Sequence, residues 1–159
     1  MPSFSNSGVE IAFDDLAPQG PVERTMVLVH GYASNRKEGW RRTGWYAALE
    51  RRGVRCIALD QRGHGESAKL HDPEAYGRDH LASDVIALLD ELGLQRVDLF
   101  GYSMGARTAL AAALAAPDRF SNLILGGVGE KLLEPRSPGS STDSMAQAML
   151  AEDPETITH

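Results

Sequence analysis

Residues 97–106 read VDLFGYSMGA, an apolar segment that runs into the pattern Gly-x-Ser-x-Gly and then into an alanine-rich segment. This pattern predicts a strand, a sharp turn that carries Ser103, and a helix that begins at Met104. Side chains at Gly101 or Gly105 would collide with neighbouring elements in such a tight turn. A chance match in a glycine-rich loop is the alternative, and the flanking strand and helix argue against it. We therefore predict that Ser103 is a nucleophile.

Short apolar runs alternate with longer segments along the chain. The runs are typical of strands covered on both faces of a parallel sheet, and they lie at residues 25–29, 55–59, 97–100 and 122–125. The longer segments predict helices at residues 43–52, 76–92 and 104–116. Residues 9–13 add a strand in a hairpin or edge region. The alternation predicts an α/β fold with a doubly wound, mostly parallel sheet.

The helix predicted at residues 76–92 has one apolar stripe. Its members recur at helical spacing, and they are Leu81, Val85, Leu88, Leu89 and Leu92. Asp84 lies off this stripe. The stripe predicts which face of the helix packs against the sheet.

Composition excludes several classes of protein. The formal net charge of −6 and the pI near 5.3 argue against a nucleic-acid partner, because phosphate binding needs a basic surface. No apolar run is long enough for a membrane span and no secretory signal is evident, so we expect a cytoplasmic protein. Cys56 is the single cysteine, which excludes an intrachain disulfide and a cysteine-based zinc cluster.

A second motif, His30-Gly31-Tyr32, directly follows the apolar run at residues 25–29. A backbone N–H donor for an oxyanion hole is expected at this place, and we assign it to Tyr32, with Ala33 as the alternative. The backbone N–H of Met104 would supply the second donor. His30 is either a general base or a residue that holds the loop by hydrogen bonds, and we favour the second role.

A third motif, DQRGHGES at residues 60–67, predicts a sharp loop at the carboxyl end of the strand at residues 55–59. His64 is either a base or a turn residue, and its flanking glycines favour the turn. His71 and His80 lack the spacing of metal ligands, and we predict neither a metal nor a cofactor. Three aromatic residues either form a hydrophobic wall near the site entrance or pack in the core: Trp40, Trp45 and Tyr46.

Together, the motifs LVHGYASN, LDQRGHGES and FGYSMGA resemble those of the α/β-hydrolase superfamily, especially small bacterial esterase-like hydrolases. The resemblance covers residues 9–129 and implies the α/β-hydrolase fold. It implies a serine esterase in which Ser103 forms an acyl-enzyme with a small-molecule ester substrate. The backbones of Tyr32 and Met104 would form its oxyanion hole. Ester, lactone, peracid and carbon–carbon bond hydrolases share these motifs, so the substrate class stays open.

The resemblance also implies a catalytic acid and a histidine that follow the serine along the chain. The regions that carry them in the family have no match here, so we expect a truncated hydrolase. Its core would span residues 1–133, and residues 134–159 would form a linker and the start of a cap-like region. Glu130 and His159 are possible substitutes within the chain. A homodimer or a complementing chain is also possible, as is a non-catalytic binding or self-assembling module.

Overall fold

The computed structural model of the chain describes residues 2–130. The first of the two units of the chain, Met1–Val128, is compact and contains nearly all of the described residues. The predicted linker, the start of the cap-like region and His159 lie outside the described residues. The fold and the site below belong to the first unit.

The described residues form one six-stranded sheet. Its strands are β1 (Ser3–Asn6), β2 (Val9–Leu16), β3 (Arg24–Val29), β4 (Val54–Leu59), β5 (Val97–Tyr102) and β6 (Phe120–Gly126). They lie in the order β1-β2-β4-β3-β5-β6. β1 and β2 form an antiparallel hairpin at one edge, and β3, β4, β5 and β6 are parallel to each other. The predicted mostly parallel sheet is therefore confirmed.

The described α-helices are α1 (Trp45–Glu50), α2 (Arg78–Glu91) and α3 (Met104–Ala115). α1 is shorter than the helix predicted at residues 43–52, because Gly44 precedes it in a left-handed conformation with φ of 83°. The helix predicted at residues 76–92 starts later, at Arg78, and a separate 3₁₀ turn, Pro73–Tyr76, precedes it. Two further short helical segments are a π-helical turn, Lys37–Arg41, and a 3₁₀ turn, Pro117–Arg119.

Alternate side chains of the parallel strands pack into two different layers. In the first layer, the buried strand residues Val27, Val29, Ile57, Leu59 and Leu99 pack with residues of α2 and α3. In the second layer, the strand residues Met26, Leu28, Cys56, Ala58 and Phe100 pack with Trp40, Tyr46 and Leu49. Because successive residues of a strand point to opposite faces, helices cover both faces of the sheet. The sheet is doubly wound, as the sequence predicted.

Cys56 and Asp84 are two of the ionisable groups that the fold buries. Burial, together with the nearby carboxylates of Asp14 and Asp15, raises the pKa of the Cys56 thiol to about 12. Asp84, off the apolar stripe of α2, is nevertheless buried, because Arg62 donates two hydrogen bonds of 2.7 Å to its carboxylate. This ion pair fixes the loop after β4 to α2.

Candidate active site

Ser103 lies on the turn between β5 and α3, as the motif predicted. Its φ of 54° and ψ of −115° are rare for a residue with a side chain. Its backbone N–H donates to the carbonyl oxygen of Gly126 at 2.8 Å, which ties the turn to β6. The first residue of α3, Met104, follows at once, so the N-terminal end of that helix begins beside the serine.

Close packing explains the two glycines of the motif. An ideal Cβ on Gly101 would lie 2.6 Å from the carbonyl carbon of Gly105. An ideal Cβ on Gly105 would lie equally close to the carbonyl carbon of Val29, at 2.6 Å. Both neighbours are backbone atoms and cannot rotate away, so α3 packs against β3 and β5 only with glycine at both positions.

His30 is buried, and both of its ring nitrogens have backbone partners. Nε2 accepts from the N–H of Gln61 at 3.0 Å, so Nδ1 carries the proton and donates to the carbonyl oxygen of Gly31 at 2.8 Å. Burial is the main cause that lowers the pKa of His30 to about 4. A neutral imidazole with both nitrogens engaged holds the loop and is poorly placed to accept a proton from Ser103.

The loop that begins at His30 passes close to the serine. An ideal Cβ on Gly31 would lie 3.3 Å from the Cβ of Ser103, so a larger residue would crowd the turn. Within residues 2–130, no backbone hydrogen bond outside the regular helices and strands uses the N–H of Tyr32 or Met104. Ala33, the alternative donor, has a left-handed φ of 53°. The roles of these N–H groups as oxyanion donors stay predictions.

Two successive hydrogen bonds through the side chain of Gln61 join the loop that begins at His30 to α3. The amide nitrogen Nε2 of Gln61 donates to the carbonyl oxygen of His30 at 2.7 Å, and Thr108 Oγ1 donates to Gln61 Oε1 at 2.7 Å. His64 is half-buried, and its ring lies edge-on to two neighbours, 5.2 Å from His30 and 6.1 Å from Tyr32. The third motif therefore packs directly against the second.

A buried ionic cluster, which sequence analysis missed, underlies these loops. Arg36 is fully buried, and its guanidinium pairs with Asp14 at 3.0 Å and with the carboxylates of Asp60 and Glu66. Asp60 also accepts from the N–H of Arg36 at 2.7 Å and from the N–H of Glu66 at 2.9 Å. The available signal was a pair of carboxylates, Asp14 on β2 and Asp60 directly after the adjacent strand β4, which require a cation when buried.

A cavity of about 500 Å³ opens beside Ser103. Aromatic side chains of the described residues dominate its lining, and they are Tyr32, Trp40, Trp45, Phe100 and Tyr102. Of the three residues expected to form a wall, Trp40 and Trp45 line the cavity. Tyr46 does not, because it packs in the second layer with its hydroxyl donating to Asp14 at 3.0 Å.

Neither metal nor membrane features are found in the described part of the chain. Within residues 2–130, no group of three or more His, Cys, Asp or Glu side chains is arranged to hold a metal ion. His71 and His80 are exposed. No helix of these residues combines the length and apolar character needed to cross a bilayer.

The family model described as the alpha/beta hydrolase fold matches residues 24–158. The chain belongs to the α/β-hydrolase fold family. Epoxide hydrolase B of Mycobacterium tuberculosis is 35% identical over 112 residues, which cover 67% of this chain and 28% of that protein. The sn-1-specific diacylglycerol lipase of Mus musculus is 35% identical over 114 residues, covering 71% of this chain and 35% of the relative.

Solved structures of the α/β-hydrolase fold also superpose on the chain. A probable hydrolytic enzyme from Pseudomonas aeruginosa has a TM-score of 0.69 and 34% identity. The match covers 78% of this chain and 39% of that structure. The chain thus spans about a third of the length of the curated relatives described above. Glu130 is exposed, and its role as a substitute catalytic acid stays a prediction. The role of His159 as a substitute base also stays a prediction.

Proposed function

We propose that this chain carries the nucleophile and the oxyanion hole of a serine hydrolase that cleaves carboxylic esters. The observation that carries the proposal is the backbone of Ser103, which is held at a positive φ between β5 and α3. Strained backbone of this kind is concentrated at functional sites. The cavity beside the serine offers space for a small-molecule substrate.

In the proposed reaction, Ser103 Oγ attacks the ester carbonyl carbon while a base removes its proton. The tetrahedral intermediate collapses, the alcohol leaves with a proton, and water then hydrolyses the acyl-enzyme. The N–H groups of Tyr32 and Met104 would stabilise the developing oxyanion. Losing one such donor typically costs about 10²–10³ in rate. The source of the acid and the base stays open between the substitutes Glu130 or His159 and a complementing chain.

The identity of the nucleophile favours esters over epoxides. One relative is named an epoxide hydrolase and another a diacylglycerol lipase. Attack of a serine oxygen on an epoxide carbon would form an alkyl ether, which has no carbonyl for water to attack. Attack on an ester forms an acyl-enzyme that water can hydrolyse. Ser103 therefore supports the ester reaction, and we expect no turnover of epoxides.

The test is intact-mass analysis after incubation with a fluorophosphonate. Ser103 Oγ would form a bond to phosphorus as the phosphorus–fluorine bond breaks and fluoride leaves. We expect one label per wild-type chain and none on Ser103→Ala. Ser34→Ala is the matched control, because Ser34 lines the same cavity and its loss should leave labelling unchanged. A labelled Ser103→Ala variant would contradict the proposal, and an unlabelled wild-type chain would contradict it for this chain without a complementing chain.

A second candidate function is a binding or self-assembling module. It is favoured by β6, which among the described strands pairs only with β5 and leaves Ile124 43% exposed. Unpaired sheet edges are sites of association between chains. Light scattering separates the two candidates. A monomer that also cleaves esters in an activity assay would exclude the self-assembling module. A dimer that cleaves no ester would exclude the enzymatic function for this chain.

A further inference from the structure

Three aromatic rings that line the cavity beside Ser103 contact one another. The ring centroids of Trp40 and Phe100 lie 5.0 Å apart, and those of Trp45 and Phe100 lie 5.0 Å apart. Trp40 and Phe100 are buried, whereas Trp45 is 40% exposed and so presents free ring surface. Tyr32 and Tyr102, each about half exposed, line the same cavity. The cavity therefore offers aromatic surface to a bound molecule.

The polar groups of the same cavity are uncharged, and those of Thr43 and His30 already have partners, whereas the buried indole N–H of Trp40 has none among the described residues. Thr43 Oγ1 donates to the carbonyl oxygen of Gly39 at 2.7 Å, and both ring nitrogens of His30 have backbone partners. Among the described residues that line the cavity there is no Asp, Glu, Lys or Arg. A charged group placed here would lose its hydration without gaining an ionic partner, which is unfavourable.

We propose that this cavity binds a neutral aromatic group of the ester substrate. The cavity of about 500 Å³ falls within the range of small-ligand sites, about 300–1,000 Å³. Flat rings gain edge-to-face and offset-stacked contacts with Trp45 and Phe100 beyond the gain from buried area, and linear alkyl chains do not. The inference deepens the proposed function and rests on it, because Ser103 lies in the same lining as these rings.

The tryptophans provide a direct readout of binding. The chain has two tryptophans, Trp40 and Trp45, and both line the cavity. Their emission can be followed while the wild-type chain is titrated with three amides that it is not expected to hydrolyse. Phenylacetamide is neutral and aromatic, hexanamide is neutral and linear, and succinamate carries a carboxylate. We expect saturable binding of phenylacetamide, with a Kd at least about fivefold lower than that of hexanamide.

Substitutions of Trp45 test which residue provides the preference. Trp45→Ala should raise the Kd of phenylacetamide about five- to tenfold, with Trp40 still reporting, and Trp45→Phe should stay within about twofold of wild type. Leu114→Ala is the control, because Leu114 is 74% exposed on α3 and does not line the cavity. If circular dichroism shows that a variant does not fold, the titration of the wild-type chain with the three amides still tests the inference.

The inference is overturned if hexanamide or succinamate binds as tightly as phenylacetamide, or if phenylacetamide causes no saturable change. It is also overturned if folded Trp45→Ala binds phenylacetamide like wild type. Amide binding requires no chemistry at Ser103. Loss of fluorophosphonate labelling with aromatic binding intact would therefore refute the esterase reaction alone, whereas labelling without aromatic preference would refute the cavity assignment alone.

Discussion

At Ser103 the backbone has a conformation that costs on the order of 1–3 kcal/mol for a residue with a side chain. The surrounding contacts must offset this cost. The N–H of Ser103 bonds to Gly126 at 2.8 Å, and the absence of side chains at Gly101 and Gly105 lets α3 approach the sheet. The strain thus depends on β5, β6 and α3 together.

The buried imidazole of His30 predicts a pH-dependent stability. Its pKa is lowered from 6.5 to about 4 in the fold, so protonation favours the unfolded chain. The contribution of neutral His30 to the free energy of unfolding is complete above about pH 6.5 and is lost as the pH falls towards about 4. Between about pH 7.5 and about pH 5, we expect the wild-type free energy of unfolding to fall about 2 kcal/mol more than that of His30→Gln.

Urea unfolding at the two pH values measures this difference. His80→Gln is the control, because His80 is exposed and its loss should preserve the wild-type dependence. Parallel pH dependences in wild type and His30→Gln would show that His30 is not held neutral by burial.

At single positions, sequence analysis identified residues with unusual backbone requirements and overlooked buried charges. The elbow glycines and Ser103 stand in a local pattern whose steric meaning can be worked out from neighbours in sequence. Arg36 stands in the polar run SNRKE, which is typical of a surface loop. Its burial depends on Asp14 and Asp60, which lie 22 and 24 positions away and meet it only in the folded sheet.

At the level of elements, Arg36 connects three parts of the structure. Its side chain joins Asp14 of β2 to Asp60 and Glu66 of the loop after β4, while its backbone continues the loop of Tyr32. Removing the guanidinium leaves buried carboxylates without their cation, which typically costs about 3–5 kcal/mol. We expect Arg36→Ala to lose that much free energy of unfolding.

Arg42→Ala is the matched control for this substitution. The side chain of Arg42 is 72% exposed and pairs with Glu38 one helical turn away, so its loss should change stability by less than about 1 kcal/mol. Urea denaturation of both variants makes the comparison. Equal effects would indicate that the cluster around Arg36 is not the structural junction described here.

Element boundaries were less predictable than element types. The apolar runs located all four parallel strands, because strands buried on both faces have a strong local signal. The π-helical turn Lys37–Arg41 was missed, because one turn is too short to show a periodic pattern. The start of α2 was misplaced, because a 3₁₀ turn with Asp72 accepting from the N–H of Glu74 comes before it.

For the molecule as a whole, the strand order predicts how protection against hydrogen exchange is distributed. β3 is flanked by β4 and β5, and Val27, Leu28 and Val29 are fully buried. β1 and β6 lie at the two edges of the described sheet. Central strands open only with the whole fold, so their amides should exchange slowest and those of β1 and β6 faster.

Hydrogen exchange read by mass spectrometry on peptides from β3 and β6 checks this order. Protection of β6 as strong as that of β3 would contradict it and would indicate that another strand covers the edge. Strand order itself was not available from the sequence, because the alternation of strands and helices specifies the fold class and leaves neighbours undetermined.

The two-layer packing of the parallel strands also has a consequence for how the chain tolerates insertions and deletions. Even-numbered residues of β3 and β4 belong to the layer of Trp40, and odd-numbered residues belong to the layer of α2 and α3. Whether a buried strand residue has an even or an odd number therefore determines which face of the sheet its side chain packs on. A single-residue deletion within β5 would move Leu99 and Phe100 to opposite faces of the sheet, turning the aromatic ring away from the cavity beside Ser103, whereas a two-residue change would keep each on its face.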